Sequence, residues 1–214
     1  MASLAPASSH GALMDGIYRR QKHIYDATRK FYLFGRDGLI DGLDARSGAK
    51  VLEIACGTGR NLDRIAQVWP GVRLHGLDIS SEMLSIAQKR LPQDCKLACG
   101  DATDFDAQRL FGQSTFDRIV ISYAVSMIPQ WEATLEHACR LLAPDGSLHV
   151  VDFGDCNGLP KPFRAGLMAW LRAFHVTPRA TFLSLMSSLA SEYGLAIRTR
   201  RGRYGYFRRV TLFR

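Results

Sequence analysis

Short apolar, β-prone runs alternate along this chain with segments whose apolar positions recur at helical spacing. The runs Val51 to Ala55, Val72 to Asp78, Cys95 to Gly100, Phe116 to Ser122 and Ser147 to Phe153 predict strands. Between them, Asn61 to Trp69, Ser81 to Arg90 and Trp131 to Leu142 predict helices. Such alternation implies a parallel sheet covered on both faces, because parallel neighbours need a crossover long enough to hold a helix. Upstream, Ile17, Ile24 and Phe31 recur every seven positions with Met14 and Thr28 between them. Met14 to Phe34 therefore reads as a helix with one apolar stripe, followed by a short helical piece from Asp37 to Leu43. Residues 1–12, rich in Ser and Ala, are expected to be disordered.

After Asp155 the character changes. Phe163, Leu167, Trp170, Leu171 and Phe174 fall on one helical face that Arg164 and Arg172 can flank. Thr177-Pro178 is expected to stop that helix and start another, since threonine caps and proline suits the first helical position. Leu195 to Arg200 and Tyr204 to Phe213 read as an antiparallel edge hairpin joined through Arg201-Gly202-Arg203.

The candidate chemistry sits where the first strand ends. Val-Leu-Glu-Ile-Ala-Cys-Gly-Thr-Gly at 51–59 is an apolar strand running into a turn whose glycines let the backbone bend sharply and approach a ligand. Nineteen positions after Gly59, Asp78 ends the next strand, where a carboxylate can accept hydrogen bonds from both hydroxyls of a ribose. A dinucleotide site would carry a third glycine so that the helix N-terminus can hold pyrophosphate, but Arg60, Asn61 and Leu62 follow Gly59 here. Glu53, four residues before Gly57, adds negative charge that suits a cation better than a phosphate. S-adenosylmethionine, with a sulfonium, an ammonium and no phosphate, is the nucleoside this pattern fits.

Composition narrows the setting. A chain of 214 residues with 47% hydrophobic content is one domain able to bury a core without disulfides or metal. No apolar stretch approaches a membrane span, and no signal peptide is recognisable at the N-terminus, which points to a cytoplasmic protein. The five cysteines, Cys56, Cys95, Cys99, Cys139 and Cys156, form no C-x-x-C pair and read as buried thiols, so no metal site is expected. Charge is unevenly spread. Residues 1–159 carry 17 Lys/Arg against 19 Asp/Glu, whereas residues 160–214 carry 11 against the single Glu192. That basic block points to an anionic surface, nucleic acid or lipid headgroups, and an arginine-rimmed apolar face bearing Trp170 is what an interfacial helix needs.

The motif Glu53-x-Ala55-x-Gly57-x-Gly59 resembles the first motif of class I S-adenosylmethionine-dependent methyltransferases, with Ala55 in place of the first glycine. Leu77-Asp78-Ile79-Ser80-x-x-Met83 and Gly100-Asp101-Ala102 resemble that family's next two elements. The resemblance implies an α/β, Rossmann-like fold with a seven-stranded, mostly parallel sheet, an antiparallel C-terminal hairpin and helices on both faces. It further implies an N-terminal helical lid over residues 13–45, a cofactor core over 50–155 and a basic substrate- and membrane-facing part over 160–214. Carried over residue by residue, it places Glu53, Ala55, Cys56, Gly57, Gly59, Asn61, Asp78, Ile79, Met83, Asp101, Ala102 and Ser122 at the cofactor S-adenosyl-L-methionine. Asp101 would meet the adenine amine.

A narrower resemblance spans most of the chain. The run from Tyr18 to Arg36, the segment Ile121 to Pro129 and the stretches Phe163 to Leu167 and Phe174 to Arg179 are similar to the bacterial N-methyltransferases of betaine-lipid synthesis, the BtaB family. That similarity implies three successive methylations converting diacylglyceryl homoserine to diacylglyceryl trimethylhomoserine, at the inner face of a membrane with an anionic surface. No nucleic-acid partner is implied. Methyl transfer at an activated sulfonium carbon needs alignment, desolvation and a deprotonated nucleophile rather than a strong base. Tyr25, Tyr32 and Tyr123 are the candidate catalytic aromatics, since ring faces tolerate the quaternary ammonium product. Arg36, with Arg29 second, is the candidate for gripping a carboxylate, that of the cofactor's methionine moiety or of homoserine, and is counted with the cofactor residues; His23, His149 and His175 have no triad partners at recognisable spacing.

Three other readings share parts of this evidence. A phosphatidylethanolamine N-methyltransferase would use the same cofactor site and cationic flank, and a quinone-pathway C-methyltransferase would not need the Trp-bearing face. An RNA-binding module would use the arginines and aromatics around Tyr204, Tyr206 and Phe207.

Overall fold

In the computed structural model, residues 33–174 and 176–214 are described. Strands β1 (Lys50–Ile54), β2 (Arg73–Asp78), β3 (Lys96–Cys99), β4 (Phe116–Ser122) and β5 (Leu142–Phe153) run parallel. The C-terminal strands β6 (Ala196–Arg201) and β7 (Phe207–Phe213) pair antiparallel with one another, and β7 joins β5 antiparallel. Together they form a seven-stranded sheet ordered β3-β2-β1-β4-β5-β7-β6. Helices α1 (Arg36–Asp41), α2 (Arg60–Val68), α3 (Ser81–Arg90), α4 (Ala107–Phe111), α5 (Trp131–Arg140), α6 (Lys161–Ala173) and α7 (Phe182–Glu192) cover both sides.

Pleating divides the core in two, because successive side chains of a strand point to opposite faces. Leu52, Ile54, Ile119, Ile121 and Val150 pack on one face with Phe111, Leu135, Phe182 and Met186, which belong to α4, α5 and α7. Val51, Val120 and Val151 point to the other face and meet Leu39, Leu62, Ile65, Ala87 and Leu171 of α1, α2, α3 and α6. A strand buried on both faces cannot alternate in polarity, and Val51, Leu52 and Ile54 are accordingly all fully buried.

β1 lies between β2 and β4, so the crossovers leaving it and entering β4 run to opposite sides of the sheet. Such a reversal opens a crevice at the carboxyl ends of the central strands. The site occupies that crevice.

Several boundaries differ from the sequence reading. α4 was not foreseen; Asp106 caps it by accepting from Arg109 N at 2.9 Å. β5 begins at Leu142, where the helix had been expected to end, because Leu142 already pairs with Phe116 across an irregular register. The segment from Thr177 does not begin a helix: Thr177 N donates to Ser126 O at 2.9 Å, and α7 starts only at Phe182. In the hairpin, Tyr204 to Tyr206 leave the strand. Their carbonyls instead accept from Gly158, Cys156 and Gly154 of the segment after β5. The N-terminal helix of the sequence reading, with Tyr25, Arg29 and Tyr32, lies outside the described residues apart from Leu33 and Phe34, which are not helical.

Candidate functional site

The turn after β1 carries the site. Its backbone takes left-handed φ values at Ala55 (58°), Gly57 (55°) and Gly59 (75°). Each has its own reason. At Gly57 an added Cβ would meet nothing within 4 Å, so the turn borders open space there. At Gly59, which caps α2, a Cβ would stand 2.7 Å from Leu91 and 3.1 Å from Ala87; this glycine lets α2 pack on α3. Ala55 adopts the conformation with a side chain in place. In the motif that it resembles a glycine stands here, and Ala55 takes the same left-handed φ at the cost of the strain a Cβ brings.

Asp78, at the end of β2, holds the turn in shape. Its Oδ2 accepts from Gly57 N at 2.7 Å and its Oδ1 from Ser80 N at 2.9 Å. Gly59 N donates to Cys56 O at 3.0 Å. With these amides committed internally, the turn is poorly equipped to cradle a phosphate. Each carboxylate oxygen of Asp78 has acceptor capacity beyond one backbone bond, as ribose recognition requires.

Glu53 lies beneath the turn, almost fully buried. Asn61 Nδ2 donates to its Oε1 at 2.7 Å, whereas Glu53 Oε2 and Asn61 Oδ1 are buried acceptors with no hydrogen-bond partner among the described residues. Burial pushes the Glu53 carboxyl up to about 8, against the opposing pull of Asn61 and of the Arg36 guanidinium. Two buried acceptors without donors among the described residues, one on a carboxyl that an adjacent cation would ionise, suit a cationic group with several N–H donors. That donor set fits the ammonium of S-adenosylmethionine. Arg36, buried at the start of α1, donates from Nε to Leu33 O at 3.2 Å.

These residues border a cavity of about 220 Å³. Of the cofactor residues named from the sequence, Arg36, Glu53, Ala55, Cys56, Gly57, Asn61, Asp78, Ile79, Asp101, Ala102 and Ser122 line it. Gly59 and Met83 do not: Gly59 serves helix packing, and Met83 is buried in α3 with its amide donating to the Ser80 cap. Asp101 is exposed at the rim and accepts from Thr103 N and Thr103 Oγ1 through one oxygen.

Tyr123 forms the far wall with Met127, Ile128 and Leu33. It is buried, and its hydroxyl donates to Phe34 O at 2.5 Å. Burial pushes that phenol further above its ordinary range. Tyr123 therefore offers the cavity a ring rather than a proton-transfer group. Tyr25 and Tyr32, the other two aromatics expected there, lie outside the described residues.

Two residues that hold this wall escaped the sequence reading. Asp152 at the end of β5 accepts from Ser126 N at 3.0 Å through Oδ2, and burial raises its carboxyl to about 6. Arg179 donates to Val125 O at 3.1 Å and to Ile128 O at 2.8 Å. Asp152 carries no local motif, and Arg179, although it ends the stretch Phe174 to Arg179 that carries the narrower resemblance, has no role implied by it. His149, in β5 as expected, accepts or donates at Ser147 Oγ across 2.8 Å, and burial lowers its imidazole to about 3.

Comparison with known proteins agrees with this geometry. The methyltransferase domain family matches residues 51–146. The chain is 31% identical over 177 residues to a demethylmenaquinone methyltransferase of Beutenbergia cavernae, spanning 80% of this chain and 68% of that one. It is 28% identical over 182 residues to the ubiquinone/menaquinone biosynthesis C-methyltransferase UbiE of Cereibacter sphaeroides, spanning 81% and 70%. Among solved structures, phosphoethanolamine N-methyltransferase 2 of Haemonchus contortus in complex with S-adenosyl-L-methionine superposes with a TM-score of 0.74 at 13% identity, over 98% of this chain and 60% of that one. The plantazolicin methyltransferase BpumL gives 0.72 at 15% identity, over 97% and 95%. The chain belongs to the class I S-adenosylmethionine-dependent methyltransferases, and S-adenosylmethionine is its cofactor.

Proposed function

We propose that this methyltransferase acts on the amine of a lipid headgroup, successively methylating diacylglyceryl homoserine to the trimethylated betaine lipid. The observation that carries the reading is the wall opposite the motif turn. It presents the Tyr123 ring with apolar Leu33, Met127 and Ile128, its tyrosine hydroxyl is tied to Phe34 O, no histidine or lysine lines the described cavity, and the lining carboxyls Glu53, Asp78 and Asp101 are the groups assigned below to the donor. A neutral amine can attack without a base, and a dry wall favours that neutral form by disfavouring the ammonium. A ring carbon, by contrast, must lose its proton after attack and gains from a placed base.

S-adenosylmethionine supplies a methyl group on a positively charged sulfur that leaves as a neutral thioether. Glu53 and Asn61 would hold its ammonium, Asp78 its ribose and Asp101 its adenine amine. Arg36 would hold one carboxylate, of the donor or of homoserine. Tyr123 narrows the path to the amine and presents a ring face as positive charge becomes permanent on nitrogen. Each cycle breaks the S–CH3 bond and forms one N–C bond; the ammonium sheds one proton to water before each attack, and the quaternary product of the third cycle has none left to lose.

Incubating the purified protein with labelled donor and lipid extracts, then weighing the products, tests the assignment. Additions of one, two and three methyl groups to diacylglyceryl homoserine are expected. The names of the curated relatives favour a second reading, C-methylation of a quinone precursor. Label confined to quinone, to phosphatidylethanolamine or to RNA would overturn the first.

A further inference from the structure

α6 is exposed along nearly its whole length; Leu171 is its one buried residue. Its outward positions Ala165, Gly166, Ala169 and Ala173 are small and uncharged, and Phe163 is 72% exposed. Trp170 and Phe174, each more than a third exposed, pack on one another with ring centroids 5.0 Å apart. Helices that face water normally present charged and polar side chains there. This one presents three cations, Lys161, Arg164 and Arg172, and no acid.

The inner side of α6 packs toward the cavity wall. α6 follows the carboxyl end of β5, and its Leu167 and Leu171 belong to the apolar cluster that contains Tyr123 and Met127 of the cavity wall. The turn Arg203–Gly205 lies at the same edge, because Phe207 pairs with Phe153 and Gly158 N donates to Tyr204 O. Tyr204 is half exposed, with the Arg203 guanidinium 4.9 Å from its ring centre. Neither Lys161 to Phe174 nor Arg201 to Phe207 contains an acidic residue. Asp155, between them in space, is paired with Arg201 at 3.1 Å and Arg208 at 2.9 Å.

We propose that α6 and the Arg203–Gly205 turn form one interfacial docking surface for an anionic bilayer, which sets the cavity at the level of the lipid headgroups. The inference rests on the lipid-substrate reading above and adds to it the face that meets the membrane. Three features select a bilayer over a protein groove. Trp, Tyr and Phe beside Lys and Arg is the composition of the headgroup boundary. The small outward residues let the helix axis lie flat and close to that boundary. The uniformly positive rim complements anionic lipid, an attraction that salt screens.

Co-sedimentation with vesicles tests it without any need for turnover. The wild-type chain is expected to bind vesicles of equal parts phosphatidylcholine and phosphatidylglycerol, to bind pure phosphatidylcholine weakly, and to lose affinity as salt rises. The double variant Phe163→Ser, Trp170→Ser should bind about tenfold or more weakly. Phe163→Ser with Lys161→Gln, both far from the core, provides a second variant should the first fold poorly. In detergent micelles holding diacylglyceryl homoserine, both variants should retain wild-type turnover within about twofold, because docking is bypassed. Wild-type protein that ignores anionic vesicles at low salt, or variants that sediment like wild type, would overturn the docking surface. Dimerisation or RNA binding lost in the same variants without vesicle binding would also overturn it, by assigning the face to another partner. Normal sedimentation with no methylation of the homoserine lipid in either medium would instead sink the substrate assignment and leave the docking surface standing.

Discussion

Ala55 and Glu53 show how single residues set the site. A left-handed φ with a Cβ present destabilises by about 1 kcal/mol or more, partly offset by the greater chain entropy that glycine loses on folding. Ala55→Gly is therefore expected to stabilise the protein by up to about 1 kcal/mol, read as a higher denaturation midpoint at unchanged slope. A lower midpoint would mean that the Ala55 methyl packs more usefully than its φ of 58° suggests. Glu53 makes a sharper case. Its folded carboxyl titrates at about 8, above the ordinary 4.5, so the folded state holds that proton more tightly than the unfolded chain. Glu53 thus contributes most to stability below pH 4.5, and that contribution declines as pH rises toward 8. Donor binding places an opposite charge beside the carboxyl and should expel the proton at pH 7. Glu53→Gln is expected to remove both the decline and the proton release seen by calorimetry in buffers of different ionisation enthalpy. It should also weaken donor binding by roughly 2 kcal/mol, the value of a charge-assisted hydrogen bond. Unchanged proton release in the variant would refute this role. Glu53, Gly57 and Asp78 were legible in the sequence because motif chemistry is local: strand, turn and carboxylate follow at fixed spacing. The use of positive φ by Ala55 was not, since it depends on where β2 and the turn press on each other.

At the scale of elements, the segment after β4 is shaped by parts of the chain distant in sequence. Its carbonyls at Val125 and Ile128 are held by Arg179, and its Ser126 amide by Asp152. Arg179→Ala should leave donor affinity within about twofold while lowering kcat/KM for the acceptor about tenfold, since a wall misplaced by a fraction of an ångström spoils alignment. Equal loss in donor and acceptor binding would show instead that the variant unfolds the cavity as a whole. The same interactions explain why α7 begins at Phe182. Thr177-Pro178 has good helix-starting chemistry, but the Thr177 amide and the Arg179 side chain are drawn to the β4 segment, and that tertiary attraction outweighs local preference. The hairpin behaves alike. Tyr204 to Tyr206 have strand propensity, yet the backbone after β5 takes their carbonyls and β7 begins at Phe207.

For the whole molecule, the site joins elements that are otherwise separate: the β1 turn, the β2 tip, α1 and the segment after β4 all border one cavity. A donor that touches all of them should stabilise the fold as a unit. At one hundred times its dissociation constant, S-adenosylmethionine is expected to add about 2.7 kcal/mol, with a single cooperative unfolding transition shifted upward. A shift limited to one of two transitions would show that the cavity spans parts that unfold independently.

The sequence alone determined the order of strands through β5 and of the helices between them apart from α4, the turn that receives a nucleoside, the preference for a cation over a phosphate, and the uneven charge of the C-terminal quarter. These depend on periodicity, turn chemistry and composition, which act over a few residues or simply add along the chain. Only the tertiary structure decided that Asp152 and Arg179 brace the cavity wall, that Tyr123 spends its hydroxyl on Phe34, that Gly59 serves packing, and that α6 leaves its apolar side outward. Each of those outcomes is set by which distant surfaces meet when the sheet closes, and no short stretch of chain contains both partners.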